Sequence, residues 1–182
     1  RGLETAGSLR EALALAVGVV GKADLFTLAH ASIAFLALSQ HSSRCEQTEE
    51  EAASLALLAA GTAKLLDQEG AARDWHALRL LPAVAQLVQT FPKLKEGLLQ
   101  RLTECAAVAI PSGEAHSVAA ALHAVAVLRG SPSQPGALPP CLLGLVPALG
   151  RRVAEAAAAL DARGLAGAVW AAAALRGEWG DL

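Results

Sequence analysis

The sequence predicts an all-α fold, an α-solenoid of about eight helices stacked as antiparallel helix hairpins. Of the 182 residues, 54% are hydrophobic but only 3% are aromatic, and much of the apolar content is alanine, the best helix former. Residues that favour strands are scarce, since Ile33 and Ile110 are the only isoleucines and tyrosine is absent. An alanine- and leucine-rich helical segment also recurs along the chain, which is typical of stacked helical pairs.

The recurring segment is clearest at residues 165–177 (LAGAVWAAAALRG) and 118–130 (VAAALHAVAVLRG). A third copy covers 28–40 and a fainter one covers 77–89, each with leucine at its eleventh place. Successive copies start 49, 41 and 47 residues apart. We therefore predict a single helical-repeat domain over residues 1–182, either complete or part of a longer array.

Capping residues divide the N-terminal half into helices. Ser8 and the glutamate three residues later form a capping box that predicts a first helix to about Val20, and Asp24 is predicted to cap the second helix. A second capping box at Thr48 predicts a third helix to about Asp67. The predicted apolar stripe of that helix is Leu55, Leu58, Thr62, Leu65 and Leu66.

Proline and glycine mark the helices in the middle of the chain. A fourth helix over 73–89 contains Pro82, which predicts either a kink or a late start. Pro92 is placed in the first turn of a fifth helix that reaches residue 109, and Ser112 is a possible cap of the sixth, which ends at Gly130. The predicted buried face of the fifth helix is Leu94, Leu98, Leu99, Leu102, Ala106 and Ala109.

The C-terminal part begins with a proline- and glycine-rich linker over residues 131–140. A helix over 140–160 is predicted to bend or split at Pro147 and Gly150. Asp161 is predicted to cap the last helix, which ends at about residue 177. The four copies are expected to form one layer and the other helices a second layer, with an irregular all-α bundle as the alternative.

Composition limits the function. The formal net charge is −2, with 15 basic and 17 acidic residues, which argues against strong non-specific binding of nucleic acid. Cys45, Cys105 and Cys141 are widely spaced, which favours buried thiols in a reducing compartment. Residues 25–43 are uncharged but carry polar side chains, so they predict a core helix and not a membrane span. Because the chain begins at Arg1 and lacks methionine, we expect that a leader or an N-terminal part has been removed.

No catalytic motif is present. Phosphate-loop, dinucleotide, nucleophile-elbow and zinc-protease patterns are all missing, so we predict a non-enzyme without a cofactor or metal. His116 and His123 share a helix face, and with Cys105 or Cys141 they would be possible zinc ligands. Their wide spacing favours ordinary polar residues instead.

Aromatic and basic residues are the candidates for binding. Trp75, Trp170 and Trp179 are possible stacking platforms for bases, although the place of Trp170 in its copy favours packing in the core. Arg129 and Arg176 precede the terminal glycine of two copies.

The two arginines have two possible roles. They either compensate a helix dipole or begin a row of cations that binds phosphates along one edge. The candidate RNA-binding residues are Arg129, Arg176, Arg151, Arg152 and Arg163, with Lys93, Lys95 and Arg101 as possible extensions.

The copies resemble the first helix of octotricopeptide and heptatricopeptide repeats, the organellar helical-repeat proteins often associated with a RAP domain. The 165–177 copy matches the Leu-Ala-x-x-Leu-Trp-Ala-x-Ala-x-Leu wording of that helix, including its tryptophan at Trp170. The resemblance implies binding of organellar RNA in maturation, translation or ribosome assembly.

The predicted function is therefore a non-catalytic organellar protein that binds or scaffolds RNA, such as a mitochondrial ribosome subunit or RNA-processing factor. The expected partners are RNA and neighbouring proteins of a larger assembly. The expected location is mitochondrial, with plastid or cytoplasmic as alternatives. The alternative function is a HEAT-like protein–protein scaffold or an accessory subunit of a large complex.

Overall fold

The structure is a computed structural model that describes residues 9–20, 26–41, 48–68, 75–91, 94, 97–130 and 137–178. Throughout these ranges the regular secondary structure is helical, which confirms the all-α prediction. Eight of the described α-helices have eleven residues or more and one has four. They are α1 Leu9–Val20, α2 Leu28–His41, α3 Glu49–Leu66, α4 His76–Thr90, α5 Leu98–Ala109, α6 Ala115–Arg129, α7 Pro140–Leu143, α8 Leu145–Glu155 and α9 Ala162–Ala174.

The repeat copies form α2, α4, α6 and α9, and these helices pack in that order. Among the remaining helices, α1 packs on α3, α3 on α5, and α5 on α7 and α8. Contacts between the two sets join α1 to α2, α2 to α3, α4 to α5, and α6 to α8. The neighbours within each set are those that the repeat predicts, whereas the solenoid arrangement itself stays a prediction.

The core is made of leucine and alanine from both sets of helices. At the eleventh place of the copies, Leu38, Leu87 and Leu175 are fully buried and Leu128 is partly buried. The apolar stripes predicted for α3 and α5 are buried, with Leu65 at the margin. Small alanine side chains between the copies allow close helix packing.

Three predicted helix ends are confirmed. The backbone N–H of Glu51 donates to the Thr48 hydroxyl at 3.2 Å, and the Glu51 carboxylate accepts the Thr48 N–H at 3.1 Å, which completes the capping box. The Asp161 carboxylate accepts the Gly164 N–H at 2.7 Å. Gly130 ends α6 with φ +96°, a left-handed conformation that favours glycine. The predicted caps Ser8 and Asp24 lie outside the described residues.

Two predicted helix starts are wrong. The fifth helix begins at Leu98 and not at Pro92, because Gly97 has φ +109° and breaks the helical path immediately before it. Ser112 does not cap the sixth helix, since its hydroxyl donates to the Ala109 carbonyl at 3.3 Å and Glu114 is the N-cap residue.

The prolines also differ in part from expectation. Pro82 lies inside α4, which begins at His76, so the predicted late start is wrong. The predicted 140–160 helix is interrupted at Gly144 and ends at Glu155. Pro147 is the third residue of α8, where a missing N–H costs no helical hydrogen bond, so it begins a helix without splitting one. The last helix ends at Ala174, three residues before the predicted end.

The turn before α6 generates a stability prediction. A Cβ on buried Gly113 would lie 2.6 Å from Leu78 Cδ1 and 2.8 Å from Val118 Cγ2, whereas one on Gly144 would meet nothing within 4 Å. We expect Gly113→Ala to lower the free energy of unfolding by about 1 to 3 kcal/mol through overpacking. Gly144→Ala, with φ −65°, is the matched control and is expected to be neutral or stabilising by up to about 1 kcal/mol. Urea unfolding measures the free energy of unfolding of both variants, and an equal change in the two would contradict the overpacking expected at Gly113.

Candidate binding face

The layer of copies has an exposed side, which we call the outer face. Corresponding places of successive copies point the same way, so exposed side chains form rows across α2, α4, α6 and α9. Three rows of exposed residues make up the outer face. The first row lies two residues before the start of each copy and contains Trp75, His116 and Arg163. The second lies at the third position of each copy (His30, Arg79, Ala120), and the third lies at the sixth position (Ile33, His123, Trp170).

A groove of about 650 Å³ runs along the outer face between α4, α6 and α9. Its floor is made of small side chains, because alanine and glycine occupy the facing places of the three helices. Its polar lining residues are Gln86, His116, His123, Asp161 and Arg163. The groove therefore combines an apolar floor with donors and acceptors on its walls.

An aromatic pair stands at the α6–α9 side of the groove. The rings of His123 and Trp170 have centroids 5.0 Å apart and are tilted by 42°. Gly167 lies directly beside this ring, since a Cβ there would be in ordinary van der Waals contact with His123 Cδ2 at 3.7 Å. Trp170 is 38% exposed, which corrects the expectation that it packs in the core.

A second aromatic cluster lies at the α2–α4 end of the outer face. Trp75 stacks on His76 with ring centroids 4.1 Å apart, and the Arg79 guanidinium lies 4.9 Å from the Trp75 ring centroid. A small pocket beside this cluster is lined in part by the exposed Ile33 and Leu36. Trp179, the third candidate platform, lies outside the described residues.

Side chains at the C-terminal ends of the copies join neighbouring helices. Gln86 donates to the Ser39 carbonyl at 3.0 Å, Gln89 to the Val127 carbonyl at 3.4 Å, and Arg129 to the Ala174 carbonyl at 2.9 Å. Each acceptor is one of the last four carbonyls of its helix, which lack partners inside the helix. The sequence analysis missed both glutamines, although polar residues near the end of the fourth helix were the available signal.

Arg129 is partly buried and is held by two contacts to the end of the chain's last helix. Its Nε lies 3.1 Å from Glu178 Oε1, and its side chain is only 15% exposed. Together with the bond to the Ala174 carbonyl, this ion pair links the end of α6 to the end of α9. The side chain thus has a structural role beyond compensating the helix dipole.

The five candidate arginines do not lie along one edge. Arg129 and Arg176 share an end of the layer, as a Cβ on Gly177 would lie 3.6 Å from Arg129 Nη2. Arg152 instead donates to the Gly113 carbonyl at 3.3 Å, just before α6 begins. Because α6 has 15 residues, its start, near Arg152, lies about 22 Å from its end, where Arg129 and Arg176 lie. Arg152 also pairs with Glu155, whereas Arg151, Arg163 and Arg176 are exposed and make no ion pair within the described residues.

A polar cluster also lies between α3 and α5. Arg101 pairs with Asp67 at 3.2 Å and with Glu104 at 3.0 Å, and these contacts, with the Glu104 hydrogen bond first, raise the pKa of the guanidinium. The Cys105 thiol donates to the Leu66 carbonyl at 3.6 Å. Burial, and then the charges of Glu104 and Asp67, raise the pKa of this thiol.

In the described part of the chain, no three His, Cys, Asp or Glu side chains are grouped as metal ligands would be. Within the same residues, no helix combines the length and the apolar character that crossing a bilayer requires. Comparison with protein-family models, with curated proteins and with solved structures finds no match.

The two arginines at equivalent places should differ in stability. Arg129→Ala leaves the Ala174 carbonyl and the Glu178 carboxylate without their partner, so we expect a loss of about 1 to 2 kcal/mol. Arg176→Ala removes the same charge from an exposed site and should change stability by less than about 0.5 kcal/mol. Thermal and urea unfolding measure both changes. A loss of equal size in the two variants would contradict the structural role of Arg129.

The thiols should differ in reactivity. Because its pKa is raised, Cys105 carries less thiolate than an ordinary thiol at the same pH, and burial also limits access. Of the two described thiols, we expect iodoacetamide to label the half-buried Cys141 before Cys105, which should react only at higher pH, as read by peptide mass spectrometry from pH 7 to 9. In urea, both thiols should label at similar rates. Faster labelling of Cys105 in the folded protein would refute the prediction.

Proposed function

We propose that this chain is a non-catalytic helical-repeat protein that binds single-stranded RNA along its outer face. The observation that carries the proposal is the groove between α4, α6 and α9, where His123 and Arg163 line the same space and the exposed Trp170 ring lies against His123. Trp170 and His123 offer aromatic faces to an unstacked base, and Arg163 offers a cation to a phosphate. Base stacking on an aromatic side chain contributes about 1 to 3 kcal/mol per base.

The other lining residues suit this role. The imidazoles of His116 and His123 offer hydrogen-bonding groups toward a base or a ribose. The overall charge of −2 means that attraction to RNA is local and not spread over the whole surface. We infer contact with a few nucleotides and a shallow dependence of affinity on salt.

The family resemblance adds to the proposal. The copies that resemble octotricopeptide and heptatricopeptide repeats are the helices that form the outer face. We propose a solenoid arrangement of these helices and an organellar function in RNA maturation, translation or ribosome assembly. The proposed location is mitochondrial, with plastid or cytoplasmic as alternatives, and a ribosomal subunit would contact both RNA and proteins.

The alternative is a protein–protein scaffold. The observation that favours it is the α2–α4 end of the outer face, where Ile33 and Leu36 are 43% and 53% exposed next to Trp75 and Arg79. Exposed aromatic, aliphatic and arginine side chains in one patch are typical of protein interfaces. A ribosomal or processing complex would use both surfaces.

RNA binding to the groove can be measured by fluorescence anisotropy with a labelled single-stranded RNA of mixed sequence. Trp170→Ala should weaken binding by about 1 to 3 kcal/mol through lost stacking. Arg163→Ala should lower the slope of log affinity against log salt by about 0.7 if its phosphate contact is lost. Arg151→Ala is the matched control, because Arg151 is an exposed arginine of α8 that does not line the groove.

The RNA affinities of the two arginine variants show whether the groove is the binding site. Equal loss in Arg163→Ala and Arg151→Ala would show that only the total charge matters and would contradict the groove as the site. Absence of RNA binding at low salt would refute the proposal and favour the scaffold. Circular dichroism of each variant checks that the helices remain folded.

A further inference from the structure

Asp161 is the acidic residue of the groove. Among the described residues that line the groove, the others are apolar, neutral polar, imidazole or cationic, and Asp161 alone carries a carboxylate. In a groove that binds RNA, a carboxylate repels phosphates and can only accept hydrogen bonds. The ligand group that faces Asp161 should therefore be a hydrogen-bond donor, and in RNA these donors belong to the bases and the ribose hydroxyls.

The cap of α9 holds the Asp161 side chain in one orientation. Its Oδ1 accepts the Gly164 N–H at 2.7 Å, and a Cβ on Gly164 would lie 3.1 Å from the same oxygen. The Asp161 carbonyl accepts the Leu165 N–H at 2.9 Å, so backbone and side chain are both held by the first turn of the helix. The carboxylate is thus positioned before a ligand binds, which lowers the entropy lost on binding.

Both oxygens of this carboxylate can accept hydrogen bonds from a ligand. Within the described residues Oδ2 has no hydrogen-bond donor, and Asp161 forms no ion pair with Arg163, although both line the groove. The two oxygens of a carboxylate offer about four lone-pair sites, so Oδ1 can accept a second bond beside that from Gly164. Two adjacent donors on one ligand group would therefore fit this side chain.

Guanine is the base whose donors match a carboxylate. Its Watson–Crick edge presents the N1–H and N2–H groups side by side, so each can donate to one oxygen. Adenine and cytosine present an amino donor next to a ring nitrogen that accepts, and uracil presents one N–H between two carbonyl oxygens. In these three bases an acceptor would face a carboxylate oxygen and weaken the contact. Single-stranded RNA leaves these edges open to protein side chains.

We propose that Asp161 recognises guanine, so that RNA in the groove prefers guanosine at the nucleotide beside the start of α9. The inference rests on the proposed RNA function and adds a base preference to it. Arg163 lines the same part of the groove and offers its cation to a neighbouring phosphate. This attraction offsets the repulsion that the Asp161 carboxylate exerts on the RNA backbone.

The stacking pair and Asp161 contact different nucleotides. Trp170 is nine residues after Asp161, which places it about 13 Å further along α9. A base stacked between RNA and the Trp170–His123 pair therefore lies beyond the reach of the Asp161 carboxylate. Stacking tolerates every base, whereas the carboxylate distinguishes them by their donors. Substitutions can thus separate RNA binding from the base preference.

Fluorescence anisotropy with three labelled RNAs of equal length tests the preference. The RNAs alternate uridine with guanosine, with adenosine or with inosine, which keeps the N1–H of guanine but lacks its N2 amino group. The wild-type chain should bind the guanosine RNA at least about fivefold more tightly than the adenosine RNA, the lower end of the discrimination that a bidentate contact gives. The inosine RNA should bind with an affinity between the two, because one of the two donors remains.

Asp161→Asn tests whether this residue carries the preference. The asparagine carbonyl can still accept the Gly164 N–H, so α9 keeps its cap. The guanosine preference should disappear, because the amide nitrogen is a donor and faces one of the donors of guanine. Glu114→Gln is the matched control, since Glu114 is the exposed N-cap residue of α6 and does not line the groove. It removes the same charge and should keep the preference.

The inference and the proposed function fail in different ways. Equal binding of the three RNAs by the wild-type chain, with an affinity that Trp170→Ala still lowers, would overturn guanine recognition and leave RNA binding in the groove. A preference that survives Asp161→Asn, or that Glu114→Gln also removes, would overturn the role of Asp161. Failure to bind any of the three RNAs at low salt would overturn both. Circular dichroism confirms that each variant is folded.

Discussion

Close packing between alanine-rich helices of one layer is the contact on which the rest of this structure depends. Residues such as Ala119, Leu122 and Ala126 in α6 are almost fully buried where the next copy packs. Small side chains bring the helices near enough for side chains of one copy to reach the backbone of the next. The same packing produces the rows of exposed side chains on the outer face, because corresponding positions of the parallel copies lie side by side. The groove is thus a consequence of the same repetition that builds the core.

This packing also explains how the helix ends are stabilised. The final carbonyls of a helix need donors from outside it, and Gln86, Gln89 and Arg129 supply them from neighbouring helices. A donor used in this way is no longer free to bind a ligand, so an arginine near the end of a copy is not by itself evidence of a phosphate site. Arg129 and Arg176 illustrate the difference, because α9 lies beside Arg129 and no described helix lies beside Arg176.

The sequence predicts those features that depend on a few neighbouring residues. The four copies, the Thr48 capping box, the Asp161 cap and the terminal Gly130 all have local signals, and the structure has them. The start of α5 after Gly97 and the break at Gly144 were predicted wrongly, because the prolines at 92 and 147 and the glycine at 150 were the stronger local signals in the sequence. The groove was not predicted either, since its walls come from three helices that are distant in sequence.

Val169 and Trp170 show why the candidate site was only partly predictable. They are adjacent in sequence, and Trp170 was expected to pack in the core. In the structure Val169 is exposed on one side of α9, whereas Trp170, one helical step away, lies against His123, which lines the groove. Which surface each of these side chains joins depends on the rotation of α9 relative to α6, and that rotation is set by packing between helices that are distant in sequence.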